Sequence, residues 1–460
     1  MKKSTLALAV AVGVLAQHAY AETQAEAKGF IEGATSTLGL RNYYINTDNR
    51  DQNAKAAKAQ SLNSEWGQGF DLRFNSGYTQ GTVGFGLDVI ALEGIRLDTG
   101  RGTNGATTVS SGTTMFPAEA TGGKNAKSVN DTGSLGLTGK VRVSQTELKI
   151  GTLLPNNPVI KYNDGRLLPQ TFTGGELKSN EIKDLTLTLG QVEKAKGRNS
   201  SNDDDLSIAG ANGGASNFSQ GTTGKFSNKF QYAGADYKIT KDLVASYYFG
   251  ELKDFYKQNF LGLVHNWAIG PGVLKSDLRY YRSRDDGNNG NMSSYFTSGY
   301  YNGTVTKGKV DNNLYSYLAL YSVEGHTFGA GYQYSNGQSD FPWLNQGDGS
   351  SNSTITDMQI QKFAHAGERT WQGRYAYDFA KVGVPGLTAG VIYLRGNNVL
   401  TPTGPATEWE RDIAVSYVVP EGTFKNVGVA WKNAMWRNDI IGQRTQDENR
   451  LIVSYSIPLL

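Results

Sequence analysis

The chain has 460 residues, of which only 38% are apolar, yet it carries 57 glycines, 25 tyrosines, 18 phenylalanines and no cysteine. Forty-five Lys and Arg nearly cancel 42 Asp and Glu, leaving a formal charge of +3. Beyond residue 20 no apolar run reaches the roughly 18 residues of a membrane-crossing helix; the missing thiols exclude a disulfide scaffold or a Cys-ligated zinc, aperiodic glycine excludes collagen and disfavours helix, and the aromatics argue against disorder.

Lys2 and Lys3 precede the apolar stretch from Leu6 to Leu15, and Ala19-Tyr20-Ala21 places small residues at −3 and −1. This reads as a secretory signal peptide over residues 1–21, with residues 22–460 as one mature domain. Removing Lys2 and Lys3 takes the charge from +3 to +1, so bulk charge gives no support for a nucleic-acid partner.

Period two runs through the rest of the chain. Phe70, Leu72 and Phe74 alternate with Asp71, Arg73 and Asn75; Val83, Phe85, Leu87 and Val89 alternate with Gly84, Gly86 and Asp88. The pattern recurs at Leu135 to Ser144 and from Arg450 to Leu459. Such alternation predicts strands with one dry and one wet face. It serves either a soluble sandwich with a dry core or a membrane barrel with a wet one. The pairs Tyr43-Tyr44, Tyr247-Tyr248, Tyr280-Tyr281 and Tyr300-Tyr301 fit the aromatic girdles of a membrane barrel.

The connections decide between the two. Short ones are expected near 77–81, 144–145, 183–184, 240–242, 268–272, 324–326, 381–386 and 420–425. Longer ones fall near 46–64, 98–132, 153–173, 197–228, 251–255, 283–312, 336–368, 396–409 and 437–447. Short and long alternate, as in an outer-membrane barrel with tight periplasmic turns and larger extracellular loops. Eight turns and nine loops join eighteen antiparallel strands within about 29–459, the sixth near 174–182; sixteen strands is the alternative. The fold class is thus all-β, a transmembrane antiparallel β-barrel. A barrel that wide holds a water channel unless something fills it.

The segment GTLLPNNPVIKYNDGRLLPQTFTGGEL (151–177) closely resembles the third loop of the OprD/Occ family of substrate-specific outer-membrane channels. GFIEGATSTLGLRNYYIN (29–46), EWGQGF (65–70), SGYTQGTVGFGLD (76–88), KAKGRNSSNDDDLSIAGANGGASN (194–217), FGELKDFYKQ (249–258) and RLIVSY (450–455) agree, so the resemblance spans almost the whole mature chain. It implies an eighteen-stranded barrel in the bacterial outer membrane, constricted by loops 3 and 7 and monomeric or weakly associated. It also implies passive, facilitated passage of small carboxylate-bearing solutes such as amino acids and organic or aromatic acids, with carboxylate antibiotics as incidental passengers. Outer-membrane lipid and lipopolysaccharide would be the surrounding partners.

A carboxylate crossing a narrow pore sheds water and needs staged replacement by fixed cations, each strong enough to admit it and weak enough to release it. Arginine suits that role, since its fork grips a carboxylate bidentately and never deprotonates. The polar phase of the strands offers Arg41, Arg73, Lys140, Arg142, Lys149, Arg374, Lys432 and Arg450. These resemble the family's basic ladder, Arg142 and Arg450 best. Lys432 stands where an Arg is expected, and Thr47 and Ser416 where relatives tend to carry a base, so the ladder looks thinned and the pore more permissive. The same bases have a plainer use, solvating the lumen and pairing with Asp71, Asp88, Glu147, Glu410, Asp412 and Glu448. Opposed charges across a lumen would also set up a transverse field.

Loop 3 would contribute Tyr162, Asp164 and Arg166 to the constriction. Loop 7 would contribute Asp340, with Asp348 beside it, as the acidic counterpart; either aspartate alternatively makes an Asx turn. Asp203-Asp204-Asp205 lacks the spacing of a calcium loop and reads as solvated. His265, His326 and His365 have no nucleophile motif nearby, and HExxH and GxSxG are missing, so no enzyme, metal site or cofactor is expected. Two other readings stay open: a non-selective or sugar-type porin, and a surface adhesin barrel whose long loops bind a partner.

Overall fold

The computed structural model describes residues 23–50, 62–98, 115–117, 128–209, 226–292, 295–296, 300–301, 304–305, 308–345 and 353–460. The expected leader (residues 1–21) and Asp348 lie outside the described residues. Among the described residues no helix is long and apolar enough to cross a membrane, which says nothing against crossing by strands.

Period two becomes a wall of long strands. They are β1 (Thr35–Asn49), β2 (Leu62–Asn75), β3 (Val83–Arg96), β4 (Asp131–Val143), β5 (Thr146–Leu153) and β6 (Thr171–Ser179). Next come β7 (Leu185–Lys196), β8 (Phe230–Lys238), β9 (Leu243–Leu252), β10 (Tyr256–Ile269), β11 (Gly272–Asp285) and β12 (Asp311–Val323). The wall ends with β13 (His326–Gly337), β14 (Arg369–Asp378), β15 (Leu387–Thr401), β16 (Gly404–Val418), β17 (Gly428–Asn438) and β18 (Gln446–Pro458). Each pairs antiparallel with the next. β1 also pairs with β18, from Thr37↔Pro458 to Asn49↔Gln446, which closes an eighteen-stranded barrel. A three-residue strand, Asp203–Asp205, extends the sheet against β7.

The turns follow from local chemistry. At Glu324-Gly325 both residues have positive φ (48° and 86°), the two-residue hairpin geometry that matches strand twist. The sixth strand starts earlier than expected, because a bulge between Thr173 and Gly174 carries the ladder on toward loop 3. The expected long connection at 396–409 is instead a tight hairpin. β15 and β16 run on past a bulge between Gly396 and Val399, with Asn398 at φ 65°, and Thr401 Oγ1 closes the turn on the Gly404 carbonyl at 2.6 Å.

Strand geometry also corrects the tyrosine pairs. Neighbours on a wall strand face opposite ways, so only one of Tyr43-Tyr44 and one of Tyr247-Tyr248 reaches the outer surface. Tyr44 is 37% exposed on the outside while Tyr43 is 1% exposed inside. Tyr247 and Tyr248 split in the same way. The outer aromatic band runs across strands instead, with Trp371, Tyr393 and Trp409 at ring separations of 5.4 and 5.8 Å.

The inner face is not uniformly polar. Tyr43, Ile45 and Leu92 bury against Met115 and Phe116 of loop 2 and Leu167 and Leu168 of loop 3. A larger apolar cluster joins Val159 and Ile160 of loop 3 with Phe341, Trp343 and Leu344 of loop 7 and wall residues such as Phe230, Tyr256 and Tyr281. Loops 4 and 7 also pair through Ser207–Ala209 and Trp343–Asn345.

Two residues before β5 ends and loop 3 begins, Gly151 has a φ of 136°, and an added Cβ there would lie 2.1 Å from the Leu137 carbonyl oxygen. Gly151→Ala is expected to cost about 1–3 kcal/mol through that strain. The check is the folded, fast-migrating band on an unheated detergent gel, which should weaken; wild-type folded yield would contradict the assignment.

Candidate functional site

The eight candidate bases all lie on the inward phase, because each is offset by an odd number of residues from an outward apolar neighbour such as Leu72, Leu148, Trp431 or Leu451. Consecutive inward residues on one strand sit about 6.5–7 Å apart. A basic chain can therefore fold onto a carboxylate two positions away. It does so repeatedly: Arg73 on Asp71 at 2.7 Å, Lys149 on Glu147 at 3.0 Å and Arg450 on Glu448 at 2.6 Å. Lys140 pairs across strands with Asp88 at 2.5 Å. Arg41 makes a forked contact with Asp164 of loop 3 at 2.8 and 3.2 Å and donates to the Arg166 carbonyl at 2.6 Å.

Three bases are held differently. Arg142 donates to Gln24 Oε1 at 3.1 Å and lies over the Tyr78 ring, 4.1 Å from its centroid. Arg374 meets neutral acceptors, Gln372 Oε1 and the Ile355 carbonyl, each at 2.6 Å. The Lys432 side chain has no hydrogen bond or ion pair with another described residue, although its register partner is Arg450.

These last residues border a chamber of about 440 Å³. Arg374, Lys432 and Arg450 line it with Asp412 on one wall; Lys275, Asp277 and Arg279 of β11 and Lys161 of loop 3 line it elsewhere. Sequence reasoning missed the β11 group. Its signal was present in Lys275-Ser-Asp277-Leu-Arg279, the same acid-then-base spacing seen at Asp71/Arg73, with Arg279 on Asp277 at 2.6 Å.

Loop 3 places Asp164 on Arg41, and Tyr43 Oη donates to the Gly165 carbonyl at 3.0 Å. Tyr162 packs at the edge of the larger apolar cluster, and that burial pushes its phenol up. Loop 7 is strapped to β16. Glu410 accepts from the Ile360 and Gln361 amides at 2.9 and 2.8 Å, so it anchors a loop rather than pairing with a base. Asp340 does not border the chamber. Its carboxylate accepts from the Ala366 amide at 2.8 Å and lies 3.5 Å from His365 Nδ1, because both are buried within the folded loop. Acid reaches the chamber through Asp277, Asp357 and Asp412 instead. Among the described residues no group of three His, Asp or Glu side chains is arranged to hold a metal ion.

A family described as outer membrane porin, OprD family, matches residues 28–459. The crystal structure of Pseudomonas aeruginosa OccK8 (OprE) is 55% identical, covering 94% of this chain and all of that one at a TM-score of 0.83. P. aeruginosa OpdK with vanillate is 35% identical over 94% of this chain and all of that one, with a TM-score of 0.78. The porin-like protein GalP of Pseudomonas putida is 35% identical over 95% of each chain.

Within loop 7, burial opposes a charge on His365, but Asp340, with Glu408 and Glu368 beyond it, outweighs that penalty and holds the imidazole at about 10. A raised value means the charged contact is fully present below about 6.5 and is lost as pH climbs through about 10. Protease nicking of loop 7 in the reconstituted protein should therefore rise between neutral and strongly alkaline pH, and Asp340→Asn should flatten the dependence. A pH-independent cleavage rate would contradict the contact.

Proposed function

Since the chain belongs to the OprD family of outer membrane porins, we propose that it carries small carboxylate-bearing solutes, amino acids and organic or aromatic acids, by facilitated diffusion. It is an outer-membrane channel of a Gram-negative bacterium, and passing small solutes is the work of its family. The observation that carries the substrate class is the chamber wall, where among the described residues no carboxylate lies within ion-pair distance of Arg374 or Lys432, beside Arg450. An incoming carboxylate finds two cations whose charge is not already spent on a neighbour. Asp412 shares the chamber but is ion-paired to neither, and a site of this kind can admit a carboxylate and still release it. The vanillate of the OpdK structure is an aromatic carboxylate, which fits the same chemistry.

In this reading loops 3 and 7 narrow the lumen, with Tyr162, Asp164 and Arg166 at the narrow zone, Arg41, Arg73, Lys140, Lys149 and Arg450 as ion-paired steps, Arg142 held by Gln24 and the Tyr78 ring, and Arg374 and Lys432 as the remaining steps. Pairing lowers their pull, so selectivity is modest and carboxylate antibiotics pass incidentally. Residues 1–21 are removed on export, and the channel works as a monomer or a weakly associated oligomer in lipid and lipopolysaccharide.

Single-channel recording in planar bilayers tests this. Lys432→Gln should lower anion preference in a salt gradient about fivefold or less, the equivalent of on the order of 1 kcal/mol for one charge at about 4 Å in water, and Lys432→Arg should restore it. Equal flux of neutral sugars and carboxylates overturns the selectivity, and the lack of discrete conductance steps overturns the pore.

A further inference from the structure

The outer face of the wall carries charge as well. At the loop end of β11–β15 an open groove of about 460 Å³ is lined in part by Arg284, Asn313, Tyr334, Asn336, Asn398 and Leu400. Its wall residues lie on the outward phase, Tyr334 and Asn336 with the exposed Tyr332, and Asn313 with the exposed Tyr315 and Tyr317.

Register fixes what stands around the groove. Arg282 pairs with Asn313, and Asn313 with Asn336. Tyr334 pairs with Arg369, which lies diagonal to Arg395 on the next strand. Arg282 and Arg369 therefore flank the groove from strands three apart, roughly 14 Å.

Arg284 is answered by Asp311 at 3.2 Å. Arg282, Arg369 and Arg395 are ion-paired to no described acid. Arg369 lies over the Tyr334 ring, 5.0 Å from its centroid, and Arg395 Nε donates to Asn397 Oδ1 at 3.4 Å. The outer rim is not basic all round. At the loop end of β7 and β8, Gln231 donates to Gln191 and Gln191 to Glu193, at 2.8 and 2.9 Å.

Cations that face lipid are tolerated where the apolar band gives way to headgroups, and girdles of aromatic rings mark that level. Tyr280 and Tyr315, stacked at 4.9 Å, and the row from Trp371 to Trp409 lie level with these arginines or just below them. The longer loops of such a barrel face the outside of the cell, so the groove opens at the outer leaflet. Guanidinium forks grip phosphate oxygens two at a time. The asparagines and the Tyr334 ring between them offer amide and ring surface of the kind that holds sugars.

We propose that this groove, with Arg282, Arg369 and Arg395 around it, binds the headgroup of a phosphorylated glycolipid of the outer leaflet. The arginines take its phosphates and the groove takes its sugar. This rests on the outer-membrane placement alone and is independent of the solute class.

The test is titration of the folded, detergent-solubilised channel with lipid A, read by native mass spectrometry. Arg282→Gln/Arg369→Gln/Arg395→Gln should weaken lipid A binding about tenfold, the combined loss expected of three exposed charge pairs. The corresponding Lys triple keeps the charge without the fork and should fall between it and the wild type. Lipid A stripped of both phosphates should bind the wild-type channel no better than intact lipid A binds the Gln triple. Asn336→Trp, which fills the groove and leaves the charge, should weaken lipid A as well. The folded gel band confirms that each barrel is intact. Equal lipid A binding by the wild type and the Gln triple overturns the site. Phosphatidylglycerol bound as tightly as lipid A, or lipid A binding untouched by Asn336→Trp, overturns the glycolipid as its occupant. A dimer that the Gln triple dissolves gives the face to a second copy of the chain and overturns the proposal too.

Discussion

The seam between β1 and β18 is the constraint on which the rest depends. Thirteen register pairs join the first strand to the last, and with that join no strand edge remains unpaired in the wall. Once the sheet is closed, inside and outside are fixed for every residue by parity alone. A shift of one position at the seam would send Arg41 and Arg450 into lipid and Tyr44 and Leu451 into the lumen. Charged side chains facing lipid at mid-depth cost roughly 2–4 kcal/mol each, so the alternation is enforced at each rung rather than merely preferred.

Closure then creates the problem that the inner charges solve. Acids and bases confined to one concave face cannot spread apart, and the chain settles them locally. The recurring device is an acid and a base two positions apart on one strand, at Asp71/Arg73, Glu147/Lys149, Glu176/Lys178, Asp277/Arg279 and Glu448/Arg450. Arg374 follows the same spacing with a neutral partner, Gln372. The loops are governed by a second device: they bring apolar side chains inward, and these bury against Tyr43, Ile45 and Leu92 on one side and Phe230, Tyr256 and Tyr281 on the other. These dry contacts pack the loops against the inner wall, and residues of loops 3 and 7 also line the chamber.

Much of this was legible in the sequence. Period two gave the strands, and the alternation of short and long connections gave their number and the position of the third and seventh loops. Polar-phase parity placed all eight bases on the inner face. The tyrosine pairs misled because adjacency in sequence means opposite faces in a strand. The connection after β15 misled because its polar, Gly- and Pro-containing stretch reads as a loop, whereas a bulge at Asn398 absorbs the irregularity and the ladder resumes. Asp340 was unreadable as a loop-core residue, since its partner His365 lies 25 positions on and meets it only when loop 7 is folded.

The near-cancellation of charge takes on a specific meaning from these pairings. Parity and spacing together decide which charges are silent. A base whose strand offers an acid two positions away spends its charge there, and the pair looks nearly neutral to a passing solute. A base whose neighbours on the same phase are neutral keeps its charge unless another strand or a loop supplies the acid, as loop 3 does for Arg41; Arg374 beside Gln372 and Lys432 between Ala430 and Ala434 are ion-paired to no described acid. Counting bases therefore overstates the pull of such a lumen, and counting unpaired inward bases measures it. The electrostatic character of the pore is set less by its total of arginines and lysines than by the inward positions that no described acid reaches, whether along the strand, across it or from a loop.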